Sequence, residues 1–167
     1  MDIIFIVGAP GVGKTTLSRI LKGKLKSPCL ELDWIRSAHL QEDWRDASPE
    51  EERLSEEILI FKLERYLKFG YKNILVVDAK VERMVRFKGL FPNAACAILT
   101  LFLDDSNELK RRILNPSRDS GNRDYENSIH ENKVLIGRPA QENEYQVEVG
   151  SDLPEKVVEK ILQTLKL

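Results

Sequence analysis

The sequence is short of the residues that build disulfide frameworks and metal centres: two cysteines and two histidines in 167 residues. Cys29 and Cys96 each lie within an apolar stretch that reads as buried strand, so both are expected to be small core residues in a reducing compartment. Neither has a neighbouring His or Lys that would lower its thiol pKa, which argues against a nucleophilic role. His39 and His130 lack the spaced partners of a metal site and read as surface or capping residues. An excess of one charge is also missing. Lys and Arg number 26 against 27 Asp and Glu, a formal net charge of -1, which excludes a disordered charged tail and disfavours nucleic acid as a partner. Any basic feature must be local. Long apolar runs are absent as well. The opening run over residues 1–8 is too short for a membrane span or a secretory core and lacks a cationic start, so no membrane partner and a cytoplasmic location are expected. No repeat, linker or low-complexity tract appears.

What is present is enough for one core. Apolar residues make up 42% of the chain, and a domain of this length buries about two thirds of the surface it exposes when unfolded. Apolar runs bounded by turn residues recur at 3–7, 29–32, 74–77, 97–103 and 145–149, separated by stretches with helical spacing. That alternation predicts an α/β fold: a five-stranded parallel sheet with helices on both faces. The clearest helix spans 49–70, with Leu54, Ile58, Leu59, Phe61, Leu63 and Tyr66 at helical spacings, Ser48 as its cap and Gly70 as its stop. A last helix starts near Pro154, with Ser151 or Asp152 as its cap and Val157, Val158, Ile161, Leu162 and Leu165 on one face. Between 110 and 137 the chain changes character. Pro116, Gly121 and several Arg and Asn residues interrupt two short helical pieces, the pattern of a loop-rich lid.

The first strand runs directly into Gly8-Ala9-Pro10-Gly11-Val12-Gly13-Lys14-Thr15, which fits Gly, four residues, Gly, Lys and Ser or Thr. After it, Leu17, Ile20, Leu21 and Leu25 supply the helix that the motif requires. Glycines let backbone N–H groups converge on phosphate oxygens, and the helix start adds a partial positive field. Lys14 brings a mobile charge, Thr15 a hydroxyl for magnesium, and Thr16 extends the nucleotide-binding stretch. A polyphosphate nucleotide is therefore expected here. A guanine-specific switch is disfavoured, because Asn132-Lys133-Val134-Leu135 lacks the closing Asp of a base-reading segment.

The second strand ends Glu31-Leu32-Asp33-Trp34-Ile35-Arg36, and in a doubly wound sheet the carboxyl ends of the strands face one ligand crevice. Glu31 and Asp33 alternate about Leu32, so along a strand both point the same way while Leu32 packs. An acid there accepts a proton from an attacking hydroxyl or orients a magnesium-bound water, with Arg36 steadying the acceptor; the plainer alternative is a helix cap beside a solvated arginine. The third strand closes on Asp78, which either orients magnesium or begins the next turn. Trp34, Trp44 and Arg45 lie where an acceptor would be covered, and there an aromatic ring either stacks on a sugar or base or packs in the core.

These residues resemble the small P-loop kinases: shikimate and gluconate kinases, nucleoside monophosphate kinases and the 5'-hydroxyl polynucleotide kinase domain. The resemblance spans essentially the whole chain and implies one three-layer P-loop domain over 1–167, with an acceptor-binding region over 33–70 and a lid over 110–137. Shikimate-type kinases carry two acids one residue apart after the second strand, where Glu31 and Asp33 stand, with Glu in place of the usual Asp. Polynucleotide kinase domains share the Asp33 to Arg36 spacing, with the Asp as general base. Asp78 resembles a Walker B acid. Arg112 and Arg118 are similar to the lid arginines, against the alternative that Arg112 pairs with Glu108 on an exposed helix face. Arg138 matches an arginine that the family returns toward substrate or nucleotide, although its spacing to Tyr145 departs from the shikimate pattern. The resemblance implies ATP with Mg2+ as cofactor and γ-phosphoryl transfer to a small-molecule hydroxyl. Lys14, Asp33 and Arg118 are then catalytic, Asp33, Arg36 and Arg138 bind acceptor, and Thr15 and Asp78 serve the metal. The alternatives are a nucleoside monophosphate kinase, a 5'-end kinase, or a regulatory P-loop protein with slow hydrolysis.

Overall fold

The computed structural model describes residues 1–39, 47–117, 122–150 and 152–167. Trp44, Arg45, Arg118, Gly121, Ser151 and the side chain of His39 lie outside the described residues. Along the chain come β1 (Ile3–Gly8), α1 (Lys14–Leu25), β2 (Cys29–Glu31), α2 (Leu32–His39), α3 (Pro49–Lys68), β3 (Ile74–Val77), α4 (Val81–Leu90), β4 (Cys96–Phe102), α5 (Ser106–Leu114), α6 (Tyr125–Gly137), β5 (Glu144–Glu148) and α7 (Pro154–Leu165). The five strands pair in parallel in the order β2-β3-β1-β4-β5.

The pleat of β1 divides the core. Ile4 and Ile6 face Leu17 and Leu21 of α1 and Val157, Val158 and Ile161 of α7. Ile3, Phe5 and Val7 face Leu59 and Leu63 of α3 and Met84 and Phe87 of α4. Each of these side chains is nearly or fully buried, and burying one contributes about 1.5–3 kcal/mol. Because both faces are covered, the strands read as continuous apolar runs instead of alternating ones. Register fixes the working end of the sheet: Gly8, the last residue of β1, lies level with Leu101 near the end of β4.

Local signals account for the helix ends. Ser48 accepts from the Glu51 amide while the Glu51 carboxylate accepts from the Ser48 amide, a capping box that starts α3. Gly70, at φ +80, turns the chain after it. Three expectations need correction. β2 stops at Glu31, and Leu32 and Asp33 open helix α2, so the two acids do not alternate along one strand. β4 and β5 each begin and end one residue earlier than their apolar runs. Helix α7 has Leu153 at its N-cap with no side-chain cap, and Asp152 instead pairs with Lys160 at 2.5 Å. Among the described residues no helix is long and apolar enough to cross a membrane.

Candidate functional site

The glycine loop is shaped by close contacts. A Cβ on Gly8 would lie 2.5 Å from the Leu101 carbonyl oxygen, so β1 approaches β4 there only because the side chain is absent. A Cβ on Gly11, at φ +89, would lie 2.6 Å from Ile113 Cγ1 and 3.0 Å from Leu109 Cδ1, so α5 rests directly on the loop. Ala9 and Val12 are buried, and Pro10 is half-buried between them. Gly13 stands at the N-cap of α1 at φ +107 and supplies no side-chain cap. The first amides of α1 therefore meet no capping side chain, which is what a bound anion requires. The Lys14 ammonium lies over the loop, donating to Gly8 O at 2.6 Å and Ala9 O at 3.1 Å. Thr15 and Thr16 follow in the first turn of α1, Thr16 exposed.

Beside Thr15 stands Glu31. Its carboxylate accepts from Thr15 Oγ1 at 3.4 Å and from Ser18 Oγ at 3.5 Å. Burial raises the Glu31 pKa, and the nearby Asp33 adds to the rise against the opposing pull of Thr15, Arg19 and Ser18. On the same strand, burial and then the Glu31 charge push the Cys29 thiol up to about 11, as expected of a core cysteine rather than a nucleophile.

From Asp33 an ionic chain runs across the ends of α2, α3 and β3. Arg36 is buried, with Nη1 on Asp33 at 2.6 Å and Nη2 on Glu52 at 2.6 Å. Glu52 also accepts from Arg83 Nη2 at 3.4 Å, and Arg83 in turn holds Asp78 at 2.7 Å and Glu56 at 2.8 Å. Burial opposes ionisation of both Arg36 and Glu52, but their mutual contact outweighs it, raising the pKa of Arg36 and lowering that of Glu52. Asp33 itself keeps a half-exposed carboxylate, 53% accessible. The structure thus brings Asp33 and Arg36 together and ties Asp78 to Arg83. Glu52, Glu56 and Arg83 were not anticipated, since their partners stand up to 31 residues away and leave no local pattern.

On the far side of the loop, Arg112 donates to Glu108 Oε1 at 2.8 Å and to Gly150 O at 2.8 Å. The spacing-of-four pair is therefore present, and Arg111 with Arg112 holds the Glu108 pKa down to about 2. Arg138 grips both oxygens of Glu144, with Nη1 to Oε2 at 2.9 Å, and also reaches Thr100 Oγ1 at 3.3 Å. Glu144 lies level with Ile98, three residues before the Leu101 that neighbours Gly8. Arg138 is thus set back from the loop and engaged by a buried acid, apart from the other residues expected to bind the acceptor. Asn132, read above only as part of an incomplete base-reading segment, is buried. It joins α6 to the end of β4 by accepting from Leu103 N at 3.1 Å and donating to Leu103 O at 2.7 Å.

The strand order, the glycine loop between β1 and α1 and the α5–α6 segment above it define the fold of the small P-loop kinases. A gluconokinase from Sinorhizobium meliloti superposes with a TM-score of 0.70 at 15% identity, over 99% of this chain and 91% of the other. A shikimate kinase from Bacteroides thetaiotaomicron gives 0.69 at 17% identity, over 99% of each chain. The tunicamycin resistance protein of Deinococcus radiodurans gives 0.67 at 20% identity, over 99% of this chain and 96% of that one. No family model matches the sequence, and no curated protein matches it.

Proposed function

We propose that this protein is an ATP-dependent kinase that transfers the γ-phosphoryl group to a hydroxyl of a small molecule. One observation carries the reading: the uncapped start of α1 with Lys14 and the Asp33–Arg36 pair stand at the same end of one parallel sheet. The first is an anion cradle and the second a half-exposed carboxylate steadied by a buried cation. That pairing suits phosphoryl transfer, in which positioning and charge stabilisation dominate. The loop amides and Lys14 bind the phosphates. Asp33 takes the proton of the acceptor hydroxyl, and Arg36 fixes the orientation of that carboxylate. The lid role is assigned to Arg112, on α5, and to Arg118, which lies outside the described residues.

The donor set fits magnesium, a hard cation that takes oxygen ligands. The Thr15 hydroxyl and the Glu31 carboxylate lie 3.4 Å apart beside the loop, whereas the Asp78 side chain is 2% exposed and held by Arg83. Thr15 and Glu31 are thus the residues to hold it, and Asp78 supports the ionic chain. When bound, the ion neutralises phosphate charge. Gluconate and shikimate are the acceptors that the names of two proteins with this fold give, and the hydroxyl they share is the feature carried over here.

ADP release from Mg-ATP across a metabolite library, with wild type and Asp33→Asn, tests the reading. Acceptor-dependent release that falls about 100-fold or more in the variant, with ATP binding kept, is the expected result. Acceptor-independent release throughout would favour a regulatory P-loop protein, and a mild loss in the variant a phosphate acceptor.

A further inference from the structure

Recognition of a carboxylate or phosphate group calls for a guanidinium whose fork faces the ligand. Among the described residues the arginines nearest the acceptor side are already turned on acids of the protein. Arg36, 5% exposed, gives Nη1 to Asp33 and Nη2 to Glu52. Arg83, 8% exposed, gives Nη1, Nη2 and Nε to Asp78, Glu52 and Glu56. Arg86 closes on Glu56 at 2.6 Å. Charge is balanced as well as placed. Arg36, Arg83, Arg86 and Lys80, the last acting on Glu52 through space, face Asp33, Glu52, Glu56 and Asp78. Glu31 adds one acid, and Arg19 answers it. Among the described residues the crevice therefore offers an entering anion no surplus of positive charge. An anion would have to displace Glu52 from Arg36 and leave that partly buried acid short of its partner. A hydroxylated ligand faces no such obstacle: Asp33 accepts from it, and Trp34, one residue on and 64% exposed, offers a surface for a sugar or ring to stack on.

We infer that the acceptor is an uncharged or cationic alcohol, without a carboxylate or phosphate group, because Glu52 and Asp33 hold the arginine that would otherwise recognise one. The inference rests on the kinase reading above and narrows its substrate. It sets this protein apart from acceptors of the gluconate, shikimate or nucleotide type despite the shared fold.

The test compares ADP release from Mg-ATP with matched pairs that differ only in the anionic group: glucitol against gluconate, adenosine against AMP, methyl shikimate against shikimate. A broad library of sugars, nucleosides and aminoglycosides, and of sugar acids and sugar phosphates, is run beside them. The neutral and cationic members should give kcat/KM at least about tenfold above their anionic counterparts, the size expected for one uncompensated charge contact. Glu52→Gln removes the competing charge on Arg36 and should narrow that ratio by about tenfold. If the variant fails to fold by circular dichroism, the wild-type ratios decide alone. Equal or preferred use of the anionic members overturns the inference and leaves the kinase reading standing. No acceptor-dependent ADP release from any member overturns both.

Discussion

Replacing single glycines by alanine separates two reasons for a glycine, backbone conformation and lack of space. At Gly13, φ is +107 and nothing lies within 4 Å of a new Cβ. Gly13→Ala should therefore cost only the left-handed penalty, about 1–2 kcal/mol. At Gly11 the same conformational cost applies at φ +89, and the methyl group also meets Ile113 Cγ1 at 2.6 Å and Leu109 Cδ1 at 3.0 Å. Overpacking adds about 1–3 kcal/mol, for a total of about 2–5 kcal/mol. Gly8 is harder still, since the atom at 2.5 Å is a backbone oxygen that moves only if β1 and β4 part. In exposed Gly23, within α1, neither constraint operates; alanine there should stabilise by about 0.5–1 kcal/mol. Urea unfolding of the four variants at neutral pH gives the order directly. With a slope of about 2 kcal/mol per molar, Gly11→Ala should lower the midpoint by about 1–2.5 M and Gly13→Ala by half a molar to one. Equal midpoints for these two variants would refute the claim that α5 is seated on the loop.

Two further outcomes follow from Glu31 and Glu144. Glu31 has a raised pKa, so the unfolded chain ionises it first and its charge costs stability as pH climbs above the ordinary carboxylate range; below that range both states are protonated and the cost vanishes. Glu31→Gln should accordingly raise the thermal midpoint at pH 7 to 8, with the gain fading toward pH 4, and a pH-independent difference would contradict this. For Glu144, burial alone would raise the pKa, but Arg138, Thr100 and the Gln141 amide hold it below its usual value. Its stabilisation is present at neutral pH and is lost as pH falls through the lowered value. Arg138→Met leaves the fully buried Glu144 side chain without its cation and should cost about 3–5 kcal/mol in denaturant unfolding. A loss below about 1 kcal/mol would show the pair to be solvated.

The parts of this molecule that could be read in advance are those whose cause is local. The glycine loop, the Ser48 cap and the Gly70 stop each depend on a few adjacent residues and stand where expected, and the strand runs are found to within a residue at their ends. Asp33 pairs with Arg36 three residues on along a helix, a partner the sequence reading did not give it: there Arg36 steadies the acceptor or is solvated. What escaped was set by tertiary contact. Alternation placed Asp33 on a strand, yet the chain turns helical at Leu32 because that residue packs, fully buried, with α3 and α4 beneath the sheet end. Arg138 carries no local sign of its partner Glu144, which only the turn into β5 brings to it. Asn132 likewise gave no sign that its amide would close on Leu103, 29 residues earlier. Long-range partners of charged and polar side chains are the hidden part of such a sequence, as the ionic chain from Asp33 to Asp78 shows.

The central strand β1 has no solvent-facing side: all six of its residues are buried, three toward α3 and α4, two toward α1 and α7, and Gly8 at the start of the loop. Variation in that strand is therefore filtered by two cores at once, and heritable change is channelled to the rim where the strands end. Descendants of such a chain can alter a handful of rim side chains while the β1 scaffold stays the same.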